Sequence, residues 1–369
     1  MIGRQSSAAR RMEDWNAWRW LNVDAPIRSA SSTVAYRELV AVAILAAVFT
    51  LGLQWWVGGA TIYDPAWVGR RTAMHHALMI NRAPAGLSWS DIGANSINIR
   101  LGVVYAAEFV HNALHISIWS AYFVLETFFL WCTFPLLYIC LRWWFPPSWS
   151  LVGLLFYTAV LPHTYFFHHF HPWDRPSLFL WLVLIMLLRA NRVVLIGAVL
   201  ALAVVVKYDV LLFPGLYWLA RVDRRNWRTV TATTAALFTL SFATYYGLRW
   251  EFPGGFADRH IGAQIVTNIR AMRSLYVFYP PLLVFGPALV FAYIGVRRGD
   301  RLMRAMALFG VLLLIPLFIA ANFDEVRAQM PMFILLLPAA VAGLRQLVEP
   351  GGAQTNVATP TPVLALEGQ

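Results

Sequence analysis

Residues 117–141, SIWSAYFVLETFFLWCTFPLLYICL, decide the fold class of this chain. Glu126 is the only charged side chain among them. An α-helix needs about 20 mostly apolar residues to cross the hydrocarbon core of a bilayer, and this segment is longer than that. A second apolar segment, 39–57, follows a polar N-terminus that contains several arginines. It lacks the small-residue cleavage pattern of a secretory signal, so it is predicted to be an uncleaved first span.

The composition of the whole chain is that of a membrane protein. Of its 369 residues 59% are hydrophobic and 13% are charged, which is more apolar surface than a soluble core absorbs. Many of the 17 Trp and 14 Tyr residues lie at the ends of apolar runs, where aromatic belts form. Cys132 and Cys140 lie about 12 Å apart along one predicted helix, too far apart for a disulfide. The net charge of +11 is spread between apolar segments, so no nucleic-acid partner is expected.

The apolar runs predict an all-α, polytopic membrane protein with about ten transmembrane helices. They are residues 37–57, 117–141, 149–164, 176–189, 193–206, 209–220, 229–248, 276–296, 305–321 and 330–347. Arginines cluster at alternate junctions, and the positive-inside rule places these junctions on the cytoplasmic side. The membrane is expected to be the plasma (inner) membrane of the cell. This orientation makes both the N-terminal segment 1–36 and the tail 348–369, which is predicted to be disordered, cytoplasmic.

Two loops and three short runs depart from a plain bundle within the predicted membrane domain, 37–347. Loops 58–116 and 249–275 are exoplasmic in this topology, and the apolar stretch 97–113 in the first of them is predicted to form a juxtamembrane helix at the interface. The runs between 176 and 220 are shorter than the ~30 Å hydrocarbon core requires. Short spans favour local thinning of the bilayer or a cavity that opens to one side.

The predicted exoplasmic face carries all nine histidines, and the densest polar cluster contains His168, His169 and His171. Histidine boxes of a membrane di-iron enzyme are one interpretation, but neighbouring positions on one helix do not converge on a metal. Hydrogen bonding to a phosphate or a sugar is a second interpretation, and ordinary interfacial histidines are a third. No cofactor is predicted; a divalent metal is compatible with the histidines but not required.

Lys207 is the only lysine in a chain with 29 basic residues, and it lies at an apolar boundary. An ionisable group at membrane depth is costly and therefore indicates a function. The alternative is that Lys207 extends to the interface and pairs with Asp209. Exoplasmic arginines, including Arg71, Arg175 and Arg327, run against the positive-inside bias. Together with Lys207 they are typical of a cavity that binds a lipid phosphate or diphosphate, although long loops also tolerate such charges.

Two aspartates of the first loop are candidates for a general base. Asp64 follows the first span closely, at the edge of the predicted cavity, where its carboxylate is suited to accept a proton from an acceptor hydroxyl. Because Pro65 follows it, Asp64 also fits the N-cap of a helix. Asp91 is the substitute candidate.

These features resemble the GT-C superfamily of polyprenyl-phosphate-sugar-dependent glycosyltransferases. The resemblance is carried by the stretch from Asp174-Arg175 through two short helices to Lys207, and by the sequence NFDEVR at 322–327 before the last span. The resemblance covers most of residues 37–347, but it rests on the order of the predicted helices and loops and on a few residues. It implies an inverting transfer of sugar from a polyprenyl-phosphate donor to a glycan, lipid or protein acceptor, at an exoplasmic site beside the membrane lipids.

The resemblance also implies roles for individual residues. Asp64 is the implied base, and the implied phosphate-binding residues are Lys207, Arg327 and Arg175, with Arg71 added from the first loop. The residues expected to bind substrate are His168, His169, His171, Asp174 and Glu325. Two other functions stay open: an O-antigen or exopolysaccharide polymerase or ligase with a diphosphate-linked donor, and a lipid or solute transporter.

Overall fold

The computed structural model describes residues 34–59, 65–80, 100–165, 171–251, 261–320 and 325–350. In these ranges the chain is all-helical and has no strand. The first seven helices are α1 (Tyr36–Gly59), α2 (Pro65–Met79), α3 (Leu101–Leu114), α4 (Ile118–Leu141), α5 (Pro147–Val160), α6 (Asp174–Arg189) and α7 (Val193–Val206). The next seven are α8 (Phe213–Arg221), α9 (Trp227–Glu251), α10 (Ile261–Met272), α11 (Leu275–Val296), α12 (Arg301–Leu312), α13 (Leu314–Ala320) and α14 (Met330–Val348).

Four helical stretches of the described chain are long and apolar enough to cross a membrane. They are Tyr36–Trp56, Ile118–Leu141, Arg301–Ile319 and Val326–Val348. The polytopic, all-helical class is thus supported, and the count of about ten crossings stays a prediction. The segment 209–220, predicted as one span, forms a 3₁₀ turn (Tyr208–Leu212) and the nine-residue helix α8.

Helix α14 forms the centre of the bundle. Its residues from Met330 to Val341 are buried, and most are aliphatic. It packs against α11 with close backbone contact at two glycines. A Cβ atom at Gly295 would overlap the carbonyl oxygen of Ala339, and one at Gly343 would overlap the carbonyl oxygen of Phe291. Small residues at such a crossing let two helix backbones approach each other, which is a common device in membrane helix pairs.

Short connections bring the polar ends of several helices together. Asn191, with φ 56°, forms the tight turn between α6 and α7, a left-handed conformation that asparagine tolerates better than most residues. The turn makes the two helices neighbours, so the start of α6 lies beside the end of α7. Helix α14 is preceded by a 3₁₀ turn, Val326–Gln329, that approaches the same place. Helices α2 and α3, both from the first loop, pack over the same place. Helix α3 (Leu101–Leu114) corresponds to the helix predicted over 97–113.

Candidate functional site

A charged cluster of buried and half-buried ionisable side chains forms where these distant parts of the chain meet. Its members come from α2, the residue before α3, the start of α6, the segment after α7 and the approach to α14. They are Arg71, Arg100, Asp174, Lys207, Asp209, Glu325 and Arg327. Four cations and three carboxylates leave one positive charge in excess among these residues.

Asp174 is the centre of the charged cluster. Its Oδ1 lies 3.0 Å from Nζ of Lys207, and its Oδ2 accepts a hydrogen bond of 3.0 Å from Nη1 of Arg327. Asp174 is the first residue of α6, where a carboxylate also complements the positive end of the helix dipole. Instead of standing free for substrate, the carboxylate holds two cations side by side.

Lys207 lies between two carboxylates. Its Nζ is 3.0 Å from Oδ1 of Asp174 and 3.0 Å from Oδ2 of Asp209. The pairing with Asp209, which belongs to the alternative interpretation of Lys207, is present, and a functional role of Lys207 stays a prediction. The residue as a whole is only 7% exposed, so the ammonium is enclosed by the protein. Ser177 donates a hydrogen bond of 3.1 Å to the other oxygen of Asp209 and fixes that carboxylate.

Arg327 connects the late loop to the cluster. One amino group binds Asp174, and the other donates to the carboxylate of Glu325. The 3₁₀ turn before α14 places both residues in range, because Glu325 directly precedes it and Arg327 lies in it. Glu325, predicted to bind substrate, is thus a partner of Arg327.

Arg71 and Arg100 approach the same tryptophan. Their guanidinium carbons lie 4.8 Å and 4.2 Å from the ring centre of Trp173, and Arg100 is also 5.5 Å from the ring centre of Tyr208. Such cation–π contacts stabilise a cation without neutralising it. Burial lowers the pKa of both Arg71 and Arg100 below the ordinary arginine value. Within the described ranges, no carboxylate forms an ion pair with Arg100.

Arg175 belongs to a separate buried pair. Its Nε lies 3.7 Å from Oε1 of Glu126, and its guanidinium also donates to the Thr164 hydroxyl and packs over the ring of Tyr165. The acid inside the longest apolar segment thus meets the arginine at the start of α6. Its charge is compensated inside the bundle, and this favours a structural role over the predicted contact with phosphate.

The remaining sequence candidates divide into two groups. His171 is half-buried, with its ring 5.2 Å from that of Trp173, at the edge of the cluster. Asp64, Asp91, His168 and His169 lie outside the described residues. In the part of the chain that the structure describes, no group of three or more His, Cys, Asp or Glu residues is arranged to hold a metal ion.

No family model, curated protein or solved structure matches the chain. What the protein does must therefore be inferred from the charged cluster and its surroundings.

An apolar groove of about 460 Å³ lies on the outer side of α1, beside the turn that follows α5. It is lined by Val48, Phe49, Gly52, Leu53, Trp56 and Pro162. Pro162 and Thr164 share one short 3₁₀ turn, and Thr164 binds Arg175, the neighbour of Asp174 in sequence. The groove is thus joined to α6 indirectly, through the turn that contains Pro162 and Thr164.

One residue of the charged cluster and the tryptophan beside it carried little signal in the sequence. Arg100 was one of several first-loop arginines, and Trp173 was one of many tryptophans. Only the folded chain shows that they stack on each other. A useful sign was the run Trp173-Asp174-Arg175, where an aromatic and two opposite charges directly precede an apolar helix.

Proposed function

We propose that the protein is a membrane glycosyltransferase of the GT-C type. It transfers a sugar from a polyprenyl-phosphate-linked donor to a glycan, lipid or protein acceptor at the exoplasmic face, with inversion. The observation that carries the proposal is the charged cluster at the start of α6; an apolar groove, joined to α6 through the turn that holds Pro162 and Thr164, supports it. A phosphate attached to a long hydrocarbon chain needs these two surfaces together.

The electrostatics of the cluster suit a phosphate ester. Lys207 and Arg327 are held 3.0 Å from opposite oxygens of one carboxylate, so they are positioned before any ligand arrives. Cations fixed in a buried site stabilise charge that develops on a leaving group without having to reorganise. The cluster as a whole carries one positive charge in excess, and no described carboxylate forms an ion pair with Arg100. Burial makes the interaction of Arg100 with an anion stronger than it is in water.

In the proposed reaction, the acceptor hydroxyl attacks the anomeric carbon as the bond from that carbon to the phosphate oxygen breaks. The electron pair stays with the phosphate, where Lys207, Arg327 and Arg100 stabilise it. The acceptor proton goes to a general base, which the resemblance assigns to Asp64. Asp174 holds the cations in place and does not itself react.

The first experiment measures sugar transfer by the purified protein in detergent. A panel of polyprenyl-phosphate hexoses and pentoses is the donor, with the matching diphosphate-linked sugars as a second panel. Turnover with the first panel supports the proposal, and turnover only with the second favours a polymerase or ligase. Absence of transfer from both panels would overturn the proposal. Mass spectrometry of co-purified lipid identifies the donor class independently.

The second experiment tests the assigned residues. Asp64→Asn is expected to lower kcat by about 100-fold or more, the usual contribution of a general base. Turnover close to wild type would remove Asp64 from the mechanism and make Asp91→Asn the next trial. Lys207→Met is expected to weaken donor binding, whereas Arg192→Met, a change in an exposed arginine at the far end of α7, is the matched control.

A further inference from the structure

A chain of hydrogen bonds connects three helices beside the charged cluster. His75, on α2, is fully buried. Its Nδ1 lies 2.9 Å from the hydroxyl of Tyr122 on α4, and its Nε2 lies 2.9 Å from Oε2 of Glu108 on α3. The amide of Asn112 donates to the other oxygen of Glu108 at 2.9 Å. A phenol, an imidazole and a carboxylate thus follow one another without a gap.

The direction of each hydrogen bond follows from the chemistry of the groups. The carboxylate of Glu108 accepts only, so the Nε2 of His75 carries a hydrogen and donates it. In the neutral imidazole Nδ1 is then an acceptor, and the hydroxyl of Tyr122 donates to it. Burial favours this neutral form, since it lowers the pKa of His75 below its ordinary value of 6.5.

Some charged and titratable neighbours of His75 raise its pKa, and others lower it. Glu108 favours the imidazolium, while His76 and His111 oppose it. Glu108 itself stays ionised, because hydrogen bonds from His75 and Asn112 lower the pKa of its carboxyl. An ionised carboxylate behind a neutral imidazole makes that imidazole a better proton acceptor, as in hydrolase triads.

The chain runs from the protein interior towards its surface. Tyr122 is 3% exposed, whereas the side chain of Glu108 is 27% exposed. At the inner end, Arg71 lies one turn before His75 on α2 and interacts electrostatically with Tyr122. Arg71 also packs on Trp173, the residue before Asp174. The inner end of the chain therefore adjoins the charged cluster.

We propose that Tyr122, His75 and Glu108 form a proton relay that serves the charged cluster. A purely structural link between three helices needs no titratable groups, but each of these three groups both accepts and releases a proton. The relay rests on the proposed function, because it carries away the proton that the acceptor hydroxyl loses to the general base.

The relay conserves protons and electrons at each step. As an incoming proton binds the oxygen of Tyr122, the hydroxyl proton of Tyr122 passes to Nδ1 of His75. The Nε2 proton of His75 then passes to Glu108, which releases it to water. One proton enters and one leaves, and the electron pair of the broken sugar–phosphate bond stays with the phosphate. The imidazole then carries its hydrogen on Nδ1, and a rotation of the ring restores the starting tautomer before the next turnover.

The test compares Tyr122→Phe, His75→Gln and Glu108→Gln with His163→Gln, a change in an exposed histidine of the turn after α5 that does not contact His75. With polyprenyl-phosphate sugar as donor, each relay variant is expected to lower kcat by about 10- to 100-fold and to alter its pH profile. Donor affinity is expected to stay within about twofold of wild type, since no relay residue binds the phosphate. His75→Ala is expected to regain turnover when imidazole is added. Relay variants with the wild-type pH profile of kcat would overturn the relay.

A measurement without turnover separates this proposal from the proposed function. In ¹⁵N spectra of histidine-labelled protein, the His75 resonances are assigned by their loss in His75→Gln. Tyr122→Phe is expected to shift the Nδ1 resonance, and Glu108→Gln to lower the pH at which His75 titrates. If neither change affects His75, the relay is wrong whether or not the protein transfers sugar. If both changes affect His75 and no sugar is transferred, the proposed function fails and the proton-conducting chain of Tyr122, His75 and Glu108 stands without that reaction.

Discussion

The ammonium nitrogen of Lys207 lies 3.0 Å from one oxygen of Asp174, and the other oxygen of Asp174 binds Arg327. One carboxylate therefore holds two cations from parts of the chain that are far apart in sequence. Buried ion pairs of this kind contribute little net stability when complete, but they are costly to break. The charged cluster thus has two separable properties, its contribution to folding and its proposed affinity for an anion.

Asp174→Asn is expected to destabilise the protein by about 3–5 kcal/mol, because it leaves Lys207 and Arg327 buried without their shared partner. Thermal unfolding in detergent measures the change. Glu251→Gln removes an exposed carboxylate at the end of α9 and is the control, with an expected effect within about 0.5 kcal/mol. Equal melting temperatures for the two variants would show that the pairs do not hold the cluster.

Some of this organisation was predictable from the sequence. Helix α7 coincides with the predicted run 193–206, because a wholly apolar stretch is bounded by Arg192 and Lys207. The run 209–220 was interpreted as one helix, but a 3₁₀ turn comes first and α8 begins around Pro214. Proline fixes a helical φ and lacks an N–H, so it favours the first turn of a new helix.

The cluster itself was only partly predictable. Residue type and position marked Lys207, Arg327 and Asp174 as unusual for apolar surroundings. Their contact depends on packing between residues 153 positions apart, which local patterns do not encode. The same limit explains why Glu126 was seen as an isolated acid in a span, whereas the fold pairs it with Arg175.

Gly295→Ala is expected to destabilise the bundle by about 1–3 kcal/mol, since the new methyl group would meet the backbone of α14 and force α11 away from it. Gly52→Ala, in α1, is the matched control because a Cβ atom there meets nothing within 4 Å. The melting temperatures of the two variants in detergent check this. A neutral Gly295→Ala would mean that α11 and α14 do not approach at this glycine.

Acid is expected to destabilise the protein through the first-loop helices. Folding lowers the pKa of His75 from 6.5 and that of Glu108 from 4.5, so the unfolded chain binds more protons as the pH falls. The contribution of His75 to the free energy of unfolding is complete above pH 6.5 and is lost as the pH falls through its lowered pKa. The contribution of Glu108 is lost in the same way below pH 4.5. Melting temperatures between pH 8 and 5 should fall less steeply in His75→Gln than in wild type. Parallel curves would contradict this assignment.

Arg100→Gln separates stability from ligand binding in the charged cluster. Arg100 packs on Trp173 and Tyr208, and burial is the largest effect on its guanidinium and lowers its pKa, so the protein bears the cost of a buried cation that no described carboxylate pairs with directly. Removing that cation relieves its repulsion from Arg71 and Arg327 and loses its longer-range attraction to Asp174 and Asp209, but the desolvation cost that it also removes is larger. The variant is therefore expected to melt at or above the wild-type temperature while it binds a polyprenyl phosphate at least ~10-fold more weakly, as binding sites often reduce stability.

Titration calorimetry and thermal unfolding on the same preparation of Arg100→Gln give both quantities. Arg273→Gln, a change in an exposed arginine after α10, is expected to alter neither. A loss of stability with unchanged lipid-phosphate affinity would make Arg100 a packing residue. A gain of stability together with weaker binding would mean that the excess charge in the cluster serves an anionic ligand. A cation needed only for folding would lower the stability when it is removed, whether or not the ligand is present.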